Sequence, residues 1–527
     1  MVLARQGIAA TSQVLASQAG AQILSRGGSA ADAAIAANAV LGVVEPMMNG
    51  IGGDLFVLYW EARTGRLTGL NASGPAPRAL PPEFLRKLGM TVMPDSGIHS
   101  VTVPGAVDGW AKMHSRFGKL PWGDLFQAAV AYAEEGFPVP EIVHDLWSFP
   151  ATVGKLRALE ETARVFLVDD EPPEQGDVFR NPDLAAAYRL LADEGPAAFY
   201  QGRIGAAILK TSQVLSGTMT ADDLSSYSAE WVEPISIDYR GWRVFELPPN
   251  GQGMAALEML NIMETAMPCQ EGPLAPGEIH KRIEAMKLAY SDVYRYNADP
   301  RPAKVPVEKL LSKQYARERA ALIDLSQANG AVLAGDATGS ETVYLTVVDR
   351  EGNIASWIQS IYSSFGSGIT VEGFLLQNRG AGFTLQRDHP NVLAGGKRPF
   401  HTIIPGFMER GDRHIGFGIM GGANQPMAHA QFVSNLVDYG MNLQQALESP
   451  RFFKASSLGN EVAIEARVPE STLGRLAEMG HEISVRPEYS QEMGRGQAIL
   501  HDSGTHVNYA GSDPRADGAA IPEPHSC

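Results

Sequence analysis

Cysteine is nearly missing from this chain of 527 residues: only Cys269 and Cys527 occur, far apart and one of them at the end. That excludes a disulfide framework and a thiolate metal cluster, and makes a reducing compartment the simpler expectation. Positive charge is also short, with 43 Lys and Arg against 59 Asp and Glu, a net charge of −16 and a pI near 5.3. Nucleic acid and anionic membrane are poor partners for such a balance, because both are gripped by a basic face. No apolar run is long enough to span a bilayer, and "MVLARQGIAATSQVLASQAG" holds no signal-like apolar core. A cytoplasmic enzyme acting on a small molecule is the expectation.

Several catalytic signatures are missing as well. The 12 His form no HExxH and no paired metal spacing, and no GxSxG elbow occurs, so zinc-peptidase and α/β-hydrolase readings fall away. "GGKRP" lacks the upstream Gly and the following Ser or Thr of a phosphate loop. "GFGIMG", Gly416 to Gly421, matches GxGxxG and is read as lying after a strand and before a helix. In a chain with 55 Gly and no leading βαβ unit, a tight turn is the better reading than a dinucleotide site. Neither a cofactor nor a metal is expected.

A chain of this length exceeds the size at which one core keeps growing, so two lobes or one large layered domain are expected. Apolar residues recur every three or four positions in "ASQAGAQILSRGGSAADAAIAANAVLGVVEP", which predicts two helices broken at "RGG". "MNGIGGDLFVLYW" and "TGRLTGLNAS" then predict two strands. From Pro121 to about Ile323 the pattern is mainly helical, interrupted by strand character in "WVEPISIDYRGWRVFELPPNGQG". After Thr342 strands and turns dominate, with helices near Met427–Tyr439, Leu443 and Ser471–Met479. The Pro/Gly-rich tail, residues 511–527, is expected to be poorly ordered.

The junction at Thr342 stands out. "LAGDATGS" is small and polar, and after Glu341 the chain turns into "TVYLTVVDREGN", a β-branched and aromatic run that ends in a tight reversal. With "NIASWIQSIY" it predicts a buried hairpin. Thr at the first position of a strand ordinarily only packs or caps.

Seven stretches, in order, give it another meaning: "ATSQVLASQAG", "GGSAADAAIAANAVLGVVEP", "VPGAVDGW", "ADDLSSYSAEWVEPISIDYRGWRVFE", "IEAMKLAYSDVYRY", "TVYLTVVDREGN" and "GIMGGANQP". Together they resemble the γ-glutamyltransferase family of N-terminal-nucleophile hydrolases across nearly the whole chain. The resemblance implies an α+β fold, a four-layer αββα sandwich with a helical lobe. It also implies a precursor that cuts itself between Glu341 and Thr342, leaving fragments 1–341 and 342–527 associated as one unit, with a higher oligomer open. The freed α-amine of Thr342, with an unperturbed pKa of roughly 7.7 to 8.0, would serve as base for its own hydroxyl. Gly421 and Gly422 correspond to the family's oxyanion pair, and Ser360 to a hydroxyl that positions the nucleophile.

Where the family recognises a γ-glutamyl group, this sequence departs from it. The arginine for the α-carboxylate falls at Ser73, with Asn71 two positions before it, and the acid for the α-amine falls at Gly382. The serine pair after "KRP" becomes His401 and Thr402, and an asparagine on the second hairpin arm becomes Tyr362. The segment between Phe383 and Lys397 is short for a lid. Arg379 and His401 could instead present donors to an anion. The expected substrate is a small anionic amide without an α-amino group, as in a branch of the family that includes oxamate amidohydrolases and glutaryl acylases. Alternatives are a γ-glutamyl hydrolase or transferase, a glutaryl-type cephalosporin acylase, and an uncut binding protein.

Overall fold

The computed structural model describes residues 1–331, 341–454 and 456–525. The "LAGDATGS" segment and Cys527 lie outside the described residues. Two seven-stranded sheets, antiparallel throughout, form the middle of the molecule. Their N-terminal strands are β1 (Val2–Ala4), β2 (Ile8–Thr11), β3 (Asp54–Glu61) and β4 (Arg66–Ala72). The middle of the chain adds β5 (Glu230–Val232), β6 (Ile235–Tyr239) and β7 (Trp242–Glu246). The rest are β8 (Glu341–Val348), β9 (Ile354–Tyr362), β10 (Gly406–Arg410), β11 (Arg413–Met420), β12 (Arg495–Asp502), β13 (Val507–Ser512) and β14 (Ala519–Pro522). One sheet runs β14-β2-β8-β9-β3-β4-β5 and the other β1-β13-β12-β11-β10-β7-β6.

Helices close both outer faces. α1 (Val14–Ser25) and α2 (Ala30–Val44) share one core cluster with Ile8, Leu345 and Ile358 of the first sheet. Ser29 and Asp32 form a reciprocal capping box that starts α2, and the Ala-rich α2 is buried along its whole length. α3 (Gly253–Glu264), α4 (Pro276–Tyr296) and α5 (Gln425–Val437) share the second core cluster with Val244, Ile415 and Phe417 of the other sheet. Between the sheets the glycines of β11 let the layers approach closely: a Cβ on Gly418 would meet the Tyr344 ring at 2.4 Å, and one on Gly416 the Thr346 hydroxyl at 2.7 Å. The result is the expected αββα sandwich, with the helical lobe supplied by short helices from Gln127–Glu135 to Ala221–Ser225. Among the described residues no helix is long and apolar enough to cross a membrane.

Two expectations are corrected. Residues 511–525 are built into the sandwich: β14 pairs with β2 through Ala9–Ile521 and Ala10–Ala520, and Arg515 is buried. Its partners lie some five hundred positions away in sequence, where local composition carries no signal. The "GFGIMG" stretch does not follow a strand either. It is largely the strand β11, and its first two glycines serve the contact between sheets rather than a phosphate turn.

Candidate active site

The hairpin places Thr342 at an irregular point in the ladder. Glu341 pairs with Tyr362 and Val343 with Gln359, so the single residue Thr342 faces two, Ser360 and Ile361. This is a one-against-two bulge, a feature that re-aims side chains and is frequent beside active sites. Thr342 is fully buried, and among the described residues its Oγ1 has no hydrogen-bond partner. An unpaired buried hydroxyl costs free energy, so such a group calls for a functional explanation. On the opposite strand Ser360 Oγ accepts the Tyr362 N–H at 2.8 Å. Tyr362 itself holds φ at +83°, a left-handed conformation uncommon for an aromatic residue.

The glycine turn approaches from the second sheet. Thr346 lies against Gly416 and Tyr344 against Gly418, a step of two along each strand. Continued by one further step of two, this pairing points from Thr342 toward the Met420–Gly421 end of β11. There the backbone has φ of +142° at Gly421 and +59° at Gly422, which side chains with a Cβ adopt only under strain, and it turns directly into α5. Gln252 holds this turn, its Nε2 donating to Gly422 O at 2.8 Å and to Thr402 O at 2.6 Å. Asn424, two residues past the turn, is buried with both side-chain polar atoms unpartnered.

Arg379 is the most unusual side chain near the hairpin. It opens a 3₁₀ turn, Arg379–Gly382, whose glycines let the backbone press against its neighbours: a Cβ on Gly380 would stand 2.7 Å from Ser100 O, and one on Gly382 2.6 Å from Phe400 O. The turn thereby sinks the Arg379 side chain completely. Nη1 donates to Thr402 Oγ1 at 2.9 Å, and the guanidinium carbon lies 4.3 Å from the centroid of the Tyr362 ring. Among the described residues Nε and Nη2 have no partner. Burial pushes its pKa down to about 10, against the opposing pull of Asp54 and Tyr362.

His401 is engaged elsewhere than expected. It is fully buried, and its Nε2 lies 3.0 Å from Asp54 Oδ2, while its backbone N–H donates to Asn250 O. Burial, reinforced by Arg379 and Arg398, drives the imidazole well below its ordinary value and keeps it neutral, and the Ile403 N–H donates to its Nδ1, so Nε2 and Asp54 Oδ2 face each other as one hydrogen-bonded pair. Asp54 Oδ1 also accepts from Gln377 Nε2 and from the N–H groups of Gly74 and Gly105. Burial nevertheless outweighs these bonds and Arg379, pushing its pKa up to about 7. His401 thus orients an acid behind Arg379 rather than offering a donor to open space.

Asn71 and Ser73 form a closed network. Ser73 donates to Asn71 Oδ1 from both Oγ and its backbone N–H, and Asn71 Nδ2 donates to Asn250 Oδ1 at 2.9 Å. Asn250 O in turn receives the His401 N–H, so the pair braces the wall behind His401. Ser73 O accepts from Arg398 Nε at 2.9 Å, and Arg398 lines a polar cavity of about 260 Å³ with Arg78, Tyr227 and Arg301, apart from the residues around Thr342.

Residues 16–523 match the gamma-glutamyltranspeptidase family. The chain belongs to it. Among relatives of this family, the glutathione hydrolase-like YwrD proenzyme of Bacillus subtilis is 36% identical over 515 residues, covering 96% of each chain. The oxamate amidohydrolase proenzyme of Klebsiella pneumoniae is 33% identical, covering 98% of each. The crystal structure of cephalosporin acylase from Bacillus halodurans superposes with a TM-score of 0.93 at 40% identity, covering 100% of this chain and 97% of the other. The protein is therefore an enzyme of the gamma-glutamyltranspeptidase family, with the N-terminal-nucleophile hydrolase fold.

The structure brings Arg379, Thr402 and Tyr362 together through direct contacts, and joins Gly422 to Thr402 through Gln252. Asp54, Gln252 and Asn424 were missed in the sequence. Asp54 follows "GIGG" at the start of a strand, where an acid sealed in an apolar run is the one available signal; Asn424 in "GGANQP" and Gln252 in "PNGQG" are ordinary turn residues until their burial is seen.

Proposed function

We propose that the chain is an amidohydrolase that cuts itself before Thr342 and then hydrolyses the amide of a small anionic acid, with oxamate the leading substrate. The observation that carries this reading is the buried, unpartnered Thr342 Oγ1 at the bulge opposite Ser360 and Ile361. In the first step Oγ attacks the Glu341 carbonyl carbon, the peptide C–N bond breaks, and an ester forms with a free α-amine on Thr342. Water opens the ester, leaving a carboxylate on Glu341 and the hydroxyl on Thr342. The new terminus then supplies both base and nucleophile.

In turnover the amine takes the hydroxyl proton as Oγ attacks the substrate amide. The oxyanion is held by the backbone N–H groups of the Gly421–Gly422 turn. Ammonia leaves with a proton returned by the amine, and water releases oxalate from the ester. Backbone donors of this kind commonly contribute about 10²–10³ in rate.

Arg379 supports an anionic substrate. Its Nε and Nη2 are buried donors without acceptors, and a carboxylate would complete a charge-assisted pair worth roughly 1.5–3 kcal/mol per bond. An α-ammonium would find no free acid in this cluster. Gly382 packs against a carbonyl where a side chain cannot fit, and both Asp54 oxygens are already engaged in hydrogen bonds. The similarity to the Klebsiella oxamate amidohydrolase supports the same substrate class. A second reading, an acylase for longer dicarboxylate side chains, has the likeness to cephalosporin acylase in its favour, since Arg379 could hold a distal carboxylate equally well.

The test is the intact mass of the purified protein under denaturing conditions beside Thr342→Ala. Two fragments meeting at Glu341–Thr342 in the parent and one chain in the variant are expected. An uncut parent would remove the mechanism and favour a binding protein. Ammonia release from oxamate, set against amine release from a γ-glutamyl anilide and from a glutaryl amide, then separates the substrates.

A further inference from the structure

Remote from the hairpin, helix α4 carries His280 and Glu284 one turn apart, and His481 reaches them from the turn before the strand Glu482–Arg486. All three are buried, and one ligand atom from each lies within 4.8 Å of the others. The i, i+4 spacing puts the first two on one face of the helix.

Hydrogen bonding fixes the orientation of the rings. His280 Nε2 lies 2.8 Å from Asp324 O, and because a carbonyl only accepts, that nitrogen carries the proton. Its Nδ1 therefore accepts the His481 Nε2–H at 2.8 Å, a proton that moves to the His481 Nδ1 when a cation takes its place between the rings. The bond to Asp324 O is the outer-shell arrangement that fixes a metal-binding imidazole. Glu284 Oε1 accepts from Lys287 Nζ at 2.7 Å, while among the described residues its Oε2 accepts only the Asn329 N–H, at 3.4 Å. His481 Nδ1 is buried without a partner.

We infer that His280, Glu284 and His481 form a site for a zinc-class divalent ion, bound by two neutral imidazole nitrogens and one carboxylate oxygen. Two nitrogens each about 2.0–2.1 Å from a tetrahedral ion stand roughly 3.3 Å apart, so the rings need to separate by only about half an ångström. Nitrogen-rich sites of this kind favour zinc and its neighbours over magnesium or calcium. The Lys287 and Lys454 ammonium groups act against a cation here, so binding is weaker than at a site free of them. Burial of all three ligands points to a structural clip rather than a second catalytic centre. If the cleavage proposed above occurs, His280 and Glu284 belong to one fragment and His481 to the other, and the ion joins the two.

The experiment is zinc titration of the full-length, chelator-stripped protein by calorimetry, with the unfolding midpoint read with and without zinc. One ion per chain and a raised midpoint are expected, and cobalt in place of zinc should give a visible absorption that the metal-free protein lacks. Glu284→Gln, which keeps the shape and removes the charge, should weaken zinc at least about tenfold, and His481→Asn should do the same. No zinc uptake by the parent would overturn the proposal, as would unchanged affinity in Glu284→Gln. Thr342→Ala should bind zinc like the parent, which separates this site from the cleavage mechanism.

Discussion

The Arg379 guanidinium carbon lies over the Tyr362 ring, 4.3 Å from its centroid, at the point where the hairpin strand β9 ends in a left-handed residue. Thr402 Oγ1 takes Nη1, while Nε and Nη2 have no acceptor among the described residues. Arg379→Lys keeps a charge but loses both the fork and the stacking surface. On the proposed function, kcat/KM for oxamate should fall about 10–10²-fold in Arg379→Lys and further in Arg379→Ala, with self-cleavage intact. Steady-state ammonia release checks this, and unchanged constants would remove Arg379 from substrate binding.

Gly421 tests the oxyanion turn. Its φ of +142° disfavours any side chain, and a Cβ there would stand 3.1 Å from Gly494 Cα. Gly421→Ala should shift the turn by a few tenths of an ångström and lower kcat about 10²–10³-fold, with KM little changed. The fraction of chain cut and the unfolding midpoint are measured alongside. A cut, folded variant with parental kcat would dismiss the turn from the mechanism.

Asp54 makes stability depend on pH. Its folded pKa of about 7 lies above the ordinary carboxyl value of 3.8, so between these values the native protein holds a proton that the unfolded chain has released. This contribution therefore falls as pH rises from about 4 to about 7, by up to roughly 4 kcal/mol. Asp54→Asn should remove that decline, so that the denaturation midpoints of parent and variant diverge with rising pH. Parallel profiles over this window would show that the acid stays ionised in the folded state.

What the sequence made legible was local. The β-branched run after Glu341, the "RGG" break between α1 and α2, and the Gly-Gly reversal each announce themselves within a dozen residues. The candidate site was half legible: the hydroxyl, the glycines and the arginine could be named, but not that Arg379 is sealed or that His401 turns to Asp54. Those facts depend on Gly380 and Gly382 meeting the carbonyls of Ser100 and Phe400, contacts between distant segments. The tail misled for the same reason, since its composition reads as a loop while its pairing partner is the strand at Ile8–Thr11.

That tail supplies the last prediction. Arg515 lies buried between Glu465, which it meets through Nε and Nη2 at 2.7 Å each, and Asp513, at 2.9 Å. Asp513 also accepts from Arg451 Nη2 at 2.6 Å, and Arg451 Nη1 donates to Gly494 O at 2.7 Å, beside the Gly421 turn. Removing one member of a buried ionic cluster leaves the others desolvated and commonly costs about 3–5 kcal/mol. Arg467 still pairs with Glu465 and Arg451 with Asp513, so Arg515→Met should fall near the lower end, about 3 kcal/mol. The urea midpoint should drop accordingly, and the loosened Gly494 support should lower kcat with it. A parental midpoint in Arg515→Met would mean that the C-terminal strand unfolds independently of the sandwich, which its pairing with β2 argues against.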